Sequence, residues 1–500
     1  MIFNVSIFLA SLAAAGASAA GYGLSATCAD SVAGSTAQMA AASLPAAVPS
    51  DTLQSVAAGA TSGVNASDNV AETADEIAAG ALLMSREECV RVALDKNPTI
   101  RIADMEIERM DYSKKETRAA LFPTLDFSLN YSRSIELQTI KMNMGGQSQS
   151  IKMGSDNSWN MGFSVALPVI APTLWKAMEL SDTQILLTEE AARSSRIDMV
   201  KAVDQAYYGL LLAYASKKVL EQNYENAKFN ASLYEKKFQA GVASEYDVLR
   251  SSVQVKNLEP ELLSANIAIK QCELQLKVLM GMDYNVHIAP AESLEAYRRD
   301  MYEVPYYDKS YSLADNTSLR SLALNTQLLE QTVDMKKRAF IPTVAATFNL
   351  AWSSLSNGNM FKNIDLNPYS TVGFSISVPI FSGGSRYYGL KQAQVQLAET
   401  ALQRENLVDN LRMQVDLAID NIDKEVKQIS TSAESVREAE KAHQIMQKSF
   451  EIGAGTYLEL RDSELAETSA KLVYLQAIYN YLVSTSELDA LLGRNIPSYQ

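Results

Sequence analysis

The sequence predicts a mainly α chain with transmembrane β strands, built as two structural repeats that supply two strands each. Three observations carry this prediction. Motifs recur roughly 211 to 219 residues apart. Four stretches alternate apolar and polar residues over about the nine to eleven positions that a tilted strand needs to cross hydrocarbon. Helical patterns of about 70 residues follow the strands, or on the order of 100 Å each at 1.5 Å per residue.

The recurrence is specific. Asn97, with Ala-Leu-Phe-Pro at 120–123, returns as Asn316 with Ala-Phe-Ile-Pro at 339–342. Gly162-Phe163-Ser164-Val165 before Pro168 returns as Gly373-Phe374-Ser375-Ile376 before Pro379. Phe238-x-x-Gly241 matches Phe450-x-x-Gly453, and Leu279-Met280-Gly281 matches Leu491-Leu492-Gly493. These pairs set one repeat at 85–283 and the other at 317–493, with a linker at 284–316 and a short tail at 494–500.

Residues 1–20 read as an export signal: an apolar stretch passing into small residues, with Ala17-Ser18-Ala19 as a cleavage site. Cys28 could accept lipid after cleavage, although Thr27 is a poor residue to precede it. From 21 to 84 the chain is dominated by Ala, Ser, Thr, Val and Gly. It has little side-chain area to offset the entropy of ordering, so it reads as a flexible tail, with the folded body starting near Ser85.

The first strand, about 124–138, sets Leu125, Phe127, Leu129 and Tyr131 against Thr124, Asp126, Ser128 and Asn130. The second, about 157–169, sets Trp159, Met161, Phe163, Val165 and Leu167 against Ser158, Asn160, Gly162 and Ser164. The second repeat supplies strands at about 343–353 and 369–381, with Phe348, Leu350 and Trp352, then Val372, Phe374 and Ile376, on the apolar side. Four strands cannot close around a lumen, and an open sheet edge is not tolerated in lipid. Several copies must share one sheet, and three copies complete a twelve-stranded barrel. The connections Gln138 to Asp156 and Ser353 to Asn367, rich in Gly, Asn, Ser and Gln, read as exposed loops.

Helices are expected from Arg86 to Leu121 and Thr317 to Ile341, entering the strands, and from beyond Pro168 and Pro379 to about Ala240 and Ile452. Val203, Tyr207, Leu210 and Tyr214 follow heptad spacing; after a slip of three, Leu220, Tyr224, Ala227, Ala231, Tyr234 and Phe238 resume it. Such narrow stripes suit long hairpins laid side by side around a hollow. The hairpin turns are Gly241-Val242-Ala243-Ser244 and Gly453-Ala454-Gly455-Thr456. A glycine ends the incoming helix; Ser or Thr, with Asp247 or Glu459 three residues on, forms a capping box for the next. Capping alone accounts for these residues, and their place at the far end of the hairpins adds a reason to expect docking there. The linker at 284–316, with Pro290, Pro305 and six tyrosines, reads as a belt outside the helices.

A formal net charge of -14 argues against a nucleic-acid partner. Cys28, Cys89 and Cys272 lack ligand-like spacing, and His287 and His443 are the only histidines, so no metal site or cofactor is expected. No phosphate cradle, Cys-His pair or other catalytic set is present, which argues against an enzyme.

The doubled pattern of Asn97-Pro98, Phe122-Pro123-Thr124, Val165-Ala166-Leu167-Pro168, Phe238-x-x-Gly241 through Asp247-Val248-Leu249, and Leu279-Met280-Gly281 resembles the TolC family of outer-membrane efflux factors over about 85–493. The resemblance implies a homotrimer with a twelve-stranded barrel in outer-membrane lipid and a helical coiled-coil barrel projecting into the periplasm. It also implies an exit duct docked through its helical tips, Gly241 to Ser244 and Gly453 to Thr456, to a periplasmic adaptor and an inner-membrane transporter. Acidic residues beyond the tip glycines line the family's periplasmic gate; the matching positions here are Asp247, Glu459 and Asp462. Family members often carry a basic residue two positions after the second tip glycine. Here Gly455 stands there, with Arg250, Arg461 and Tyr457 nearby. The expected function is passive conduction of small molecules or drugs in a tripartite pump. A type I protein secretion duct and a non-conducting structural envelope protein are the alternatives.

Overall fold

The computed structural model describes residues 82–144, 147–298, 311–358 and 364–494. The export signal, Cys28, nearly all of the flexible segment, part of the linker and the last six residues lie outside these. Two compact units emerge, each assembled from both repeats.

The first unit holds the sheet. Strands β2 (Thr124–Arg133), β5 (Asn157–Ile170), β7 (Thr343–Ser356) and β8 (Asn367–Ser377) form one antiparallel sheet in the order β2-β5-β7-β8. The repeats meet at its centre, where β5 pairs with β7. Register gathers most of the apolar positions on one face. Leu125, Phe127, Leu129 and Tyr131 lie beside Val165, Phe163, Met161 and Trp159, then Phe348, Leu350, Trp352 and Ser354. Phe127 and Phe163 stack with centroids 5.0 Å apart, and Tyr131 and Trp159 at 4.7 Å. Cross-strand aromatic pairs of this kind stabilise a sheet beyond their buried area. The opposite face carries Ser, Thr, Asn, Ala and Gly almost throughout. Leu125, Phe127, Val372, Phe374 and Ile376 remain exposed in a single chain. That arrangement suits lipid, not water.

Several expected boundaries shift. The first strand ends at Arg133 instead of 138, and the stretch expected as a loop folds into a hairpin of β3 (Gln138–Met144) and β4 (Gln147–Met153). Its backbone groups find partners in each other, although the apolar alternation is weak. At the described start of the second connection, Gly358 is tied to the end of the first. The Tyr131 hydroxyl donates to Asn157 Oδ1 at 2.9 Å, and Gly358 N donates to Asp156 Oδ2 at 3.0 Å. The third strand continues to Ser356. The fourth starts at Asn367 and stops at Ser377, short of the expected 381; Pro379 has no N–H to give a ladder.

The sheet unit also holds most of α2 (Pro98–Ala119), the first part of α3 (Pro172–Gln239), α5 (Thr317–Arg338) and the first part of α6 (Ser385–Glu451). The expected helix 86–121 is two helices. Asn97 adopts an extended ψ of 128° because the residue before a proline is pushed out of the α region. The helix before it is α1 (Arg86–Lys96).

The second unit contains α1, the later part of α3, α4 (Glu245–Met280), the later part of α6 and α7 (Tyr457–Leu492). Its core joins Cys89, Val90 and Ala93 to Val203, Tyr207 and Leu210, with Leu276, Ile422, Ile478 and Leu488. Arg86 binds Asp204 through two hydrogen bonds of 2.7 and 2.8 Å, and Ser486 Oγ donates to the same carboxylate at 2.8 Å. Asp204 is fully buried, so only this satisfied geometry makes its charge tolerable.

The folded body begins before Ser85. Leu82–Met84 form a short strand, β1, paired parallel with β6 (Ile288–Pro290). The Ile288 N–H donates to Glu273 Oε1 at 3.0 Å, and Lys277 lies 2.6 Å from the same oxygen. Leu294 is buried in the core as well. The early linker is therefore packed onto α4 and not simply draped outside. No helix among the described residues is long and apolar enough to cross a membrane.

Candidate gate and docking tips

Both hairpin turns use the same chain geometry. Gly241 and Gly453 hold φ values of 75° and 78°, a left-handed backbone that a Cβ penalises. Gly241 N donates to the Phe238 carbonyl and Val242 N to the Lys237 carbonyl; Gly453 and Ala454 repeat this with Phe450 and Ser449. These bonds satisfy carbonyls that the ends of α3 and α6 would otherwise leave bare.

The capping boxes form in full. The Asp247 backbone N–H donates to Ser244 Oγ, and Asp247 Oδ2 accepts from the Ser244 N–H at 3.2 Å and from its hydroxyl at 2.6 Å. Glu459 Oε2 accepts from the Thr456 N–H at 2.8 Å and from its hydroxyl at 2.9 Å. Those bonds hold the Glu459 carboxyl below its ordinary range. Asp462 is exposed and receives no such bond among the described residues. Two of the three acids are thus anchored by one oxygen each, and the third lacks such an anchor. At the turns Val242 and Ile452 expose 74% and 81% of their surface, with Tyr246 and Leu249 also outward.

A small apolar cluster supports the turns. Tyr234, Phe450, Tyr457 and Leu460 are buried together, with Tyr234 and Tyr457 edge to face at 5.1 Å. Lys237 lies 4.5 Å from the centre of the Phe450 ring, and the Arg250 guanidinium 5.6 Å from that of Tyr457. Tyr457 packing links α7 to α3 and α6, while Arg250 on α4 reaches its ring. At Gly455 a Cβ would lie 3.3 Å from the Phe450 nitrogen, so a longer side chain there would press on the end of α6.

Sequence reasoning missed Glu464. It is nearly buried on α7, and its nearest donor is Asn230 Nδ2 of α3 at 3.5 Å. Burial, with a smaller contribution from Glu467, pushes its carboxyl up to about 7. It borders an open cleft of about 750 Å³ that Lys217, Glu440, Glu467 and Lys471 also line. An acid among Leu460, Ala466 and Thr468 carries no sequence signal of this; only the helix partner reveals it.

A sheet with one apolar and one polar face, open at both edges and joined in each repeat to a long helical hairpin, defines a β-barrel membrane channel shared between copies. The model of the family described as outer membrane efflux protein matches residues 89–282 and 310–494, and the chain belongs to that family. It is 24% identical over 413 residues to the alkaline protease secretion protein AprF of Pseudomonas aeruginosa, spanning 80% of this chain and 83% of that protein. It is 20% identical to the outer membrane protein TolC of Escherichia coli, over 79% of this chain and 80% of that one. The Campylobacter jejuni CmeC outer membrane channel superposes with a TM-score of 0.66 at 16% identity, covering 92% of this chain and 96% of that structure.

As a member of this family the chain is an outer-membrane efflux channel and not an enzyme. It works as a homotrimer whose helical barrel extends into the periplasm and docks with adaptor and inner-membrane transporter proteins.

Proposed function

We propose that this channel passively conducts small molecules or drugs from the periplasm, with Asp247, Glu459 and Asp462 at its periplasmic mouth and the turns 241–244 and 453–456 as the adaptor-docking tips. The observation that carries the reading is the paired construction of the turns. Both present exposed apolar residues beside a capped helix start, and both set an acid three residues past the cap. Under threefold symmetry each acid occurs three times around the axis, which raises the local negative potential and favours cations. One carboxylate oxygen of Asp247 and of Glu459 is held by the cap, which fixes the position of these two charges without neutralising them. Energy for transport comes from the partners, since the chain offers no chemistry of its own.

Planar-bilayer recording of the purified trimer tests the reading. Discrete conductance steps with cation preference are expected. Neutralising Asp247, Glu459 and Asp462 together should change both conductance and selectivity; unchanged values would reject their position at the mouth. Deleting the gene and measuring dye retention beside loss of secreted proteins separates small-molecule export from protein secretion.

A further inference from the structure

We propose that Asp126 is a second selectivity-determining residue of the duct, setting a ring of negative charge on the inner wall of the β barrel. The inference rests on the channel reading but not on the tip residues. Asp126 belongs to the polar face of the sheet, the face opposite Leu125, Phe127 and the aromatic stack. With the apolar face turned to lipid, the polar face lines the lumen.

Register places Asp126 beside Ser164, Ser164 beside Asn349, and Asn349 beside Thr371, so one row crosses all four strands. Asn349 Nδ2 donates to Thr371 Oγ1 at 3.4 Å within that row. Every other paired position on this face of β2, β5, β7 and β8 is uncharged. Arg133, the one basic residue of these strands, falls on the opposite face. Asp126 is exposed, and no hydrogen bond or ion pair engages its carboxylate among the described residues. A lone acid on a wall of neutral side chains has no fixed countercharge there, so mobile cations must supply it.

The scale of the effect follows from the barrel. Twelve strands about 4.8 Å apart and tilted by about 40° give a backbone radius of about 12 Å. Three inward carboxylates then lie roughly 14 Å apart, beyond the screening length of about 8 Å at physiological salt. The ring therefore acts weakly at high salt and strongly at low salt, where screening lengths reach about 30 Å. Cations gain and anionic solutes lose along the exit half of the path.

The test is the reversal potential of the full-length trimer across a KCl gradient at low and at 1 M salt, for wild type, Asp126→Asn and Asp126→Lys. At low salt the cation-to-anion permeability ratio should fall about twofold for Asp126→Asn and further for Asp126→Lys, with the differences vanishing at 1 M. Asp126→Cys adds a check on side-chain position: an anionic, membrane-impermeant thiol reagent should react and raise the cation-to-anion permeability ratio back toward the wild-type value. Cys89 and Cys272 are buried and should not interfere, and the wild-type trimer controls for reaction at Cys28. A conducting trimer whose reversal potential ignores both charge changes, or whose introduced thiol stays unreactive, overturns the inner ring and leaves the duct intact. A trimer that never conducts overturns both. Asp247→Asn in parallel shows whether the tip reading stands when the barrel ring fails.

Discussion

The Asn97 side-chain amide donates to the Leu279 carbonyl at 2.7 Å, and Asn316 repeats the bond to the Leu491 carbonyl at 2.8 Å. Each asparagine stands at the start of an entering helix, and each carbonyl is among the last of a return helix, where the helix itself provides no donor. Two motifs that recur in the sequence are therefore the two halves of one contact. Gly281 tightens it further: a Cβ there would lie 2.9 Å from the Lys96 carbonyl oxygen.

Asn97→Ala should leave the Leu279 carbonyl and the Thr99 N–H without their partner, since Asn97 Oδ1 also accepts from Thr99 at 2.7 Å. Loss of a buried partner costs about 1–3 kcal/mol. The heat needed to dissociate the extracted trimer should fall, and Asn316→Ala should lower it as well. Thermal dissociation followed on semi-native gels measures both; an unaltered midpoint for Asn97→Ala contradicts the role of the contact.

Gly162 and Gly373 occupy matching places in the repeats yet should respond differently to alanine. A Cβ at Gly162 would lie 2.7 Å from the Leu350 carbonyl oxygen and 2.8 Å from Ala351 Cβ, whereas at Gly373 it meets only Thr347 Oγ1 at 3.5 Å. Gly162→Ala must shift the β5-β7 ladder, at a cost of about 1–3 kcal/mol typical of overpacking. Gly373→Ala, with no such clash inside its own chain, should cost less. Yield of folded trimer in the outer membrane separates the two, and equal yields would refute the asymmetry.

Glu464 gives a pH dependence with a definite sign. Its folded value of about 7 lies above the ordinary 4.5, so between these values the folded state holds the extra proton. The stabilisation is complete below about 4.5 and is lost as pH rises to about 7, an effect on the order of 3 kcal/mol. Glu464→Gln keeps a hydrogen-bonding group for Asn230 and removes the titration. Wild-type thermal stability should drop from pH 5 to pH 8 more steeply than that of the variant; parallel curves would show that Glu464 does not titrate in this range.

Ser244→Ala and Thr456→Ala each remove one helix cap, at about 1 kcal/mol. Hydrogen exchange should rise in the first turns of α4 and α7 and leave the core near Leu210 and Leu276 unchanged. Exchange that spreads to that core instead would mean the turns are not separable units.

What the sequence made legible is what repeats or has a short-range cause. Apolar alternation located all four strands of the sheet, and glycine followed by Ser or Thr and an acid located both turns, because these signals are local. The β3-β4 hairpin escaped because Gln138-Thr139-Ile140 alternates too weakly to distinguish strand from polar loop. The Leu82–Met84 strand escaped because three residues have no period, and its partner Ile288 lies about 200 residues away. Among site residues, Asp247 and Glu459 were visible through their caps. Glu464 was not, since its burial depends on Asn230 across a helix pair, and Asp126 took on meaning only once register showed the row it belongs to.

The strands β2 and β8 are the edges of the sheet within one chain, and lipid allows no bare edge, so closure between copies is what everything else depends on. Native mass spectrometry of folded protein extracted in mild detergent measures this directly. Joined edges predict a species of three chains that persists on dilution. A folded, strictly monomeric species would contradict the shared barrel, and with it the duct.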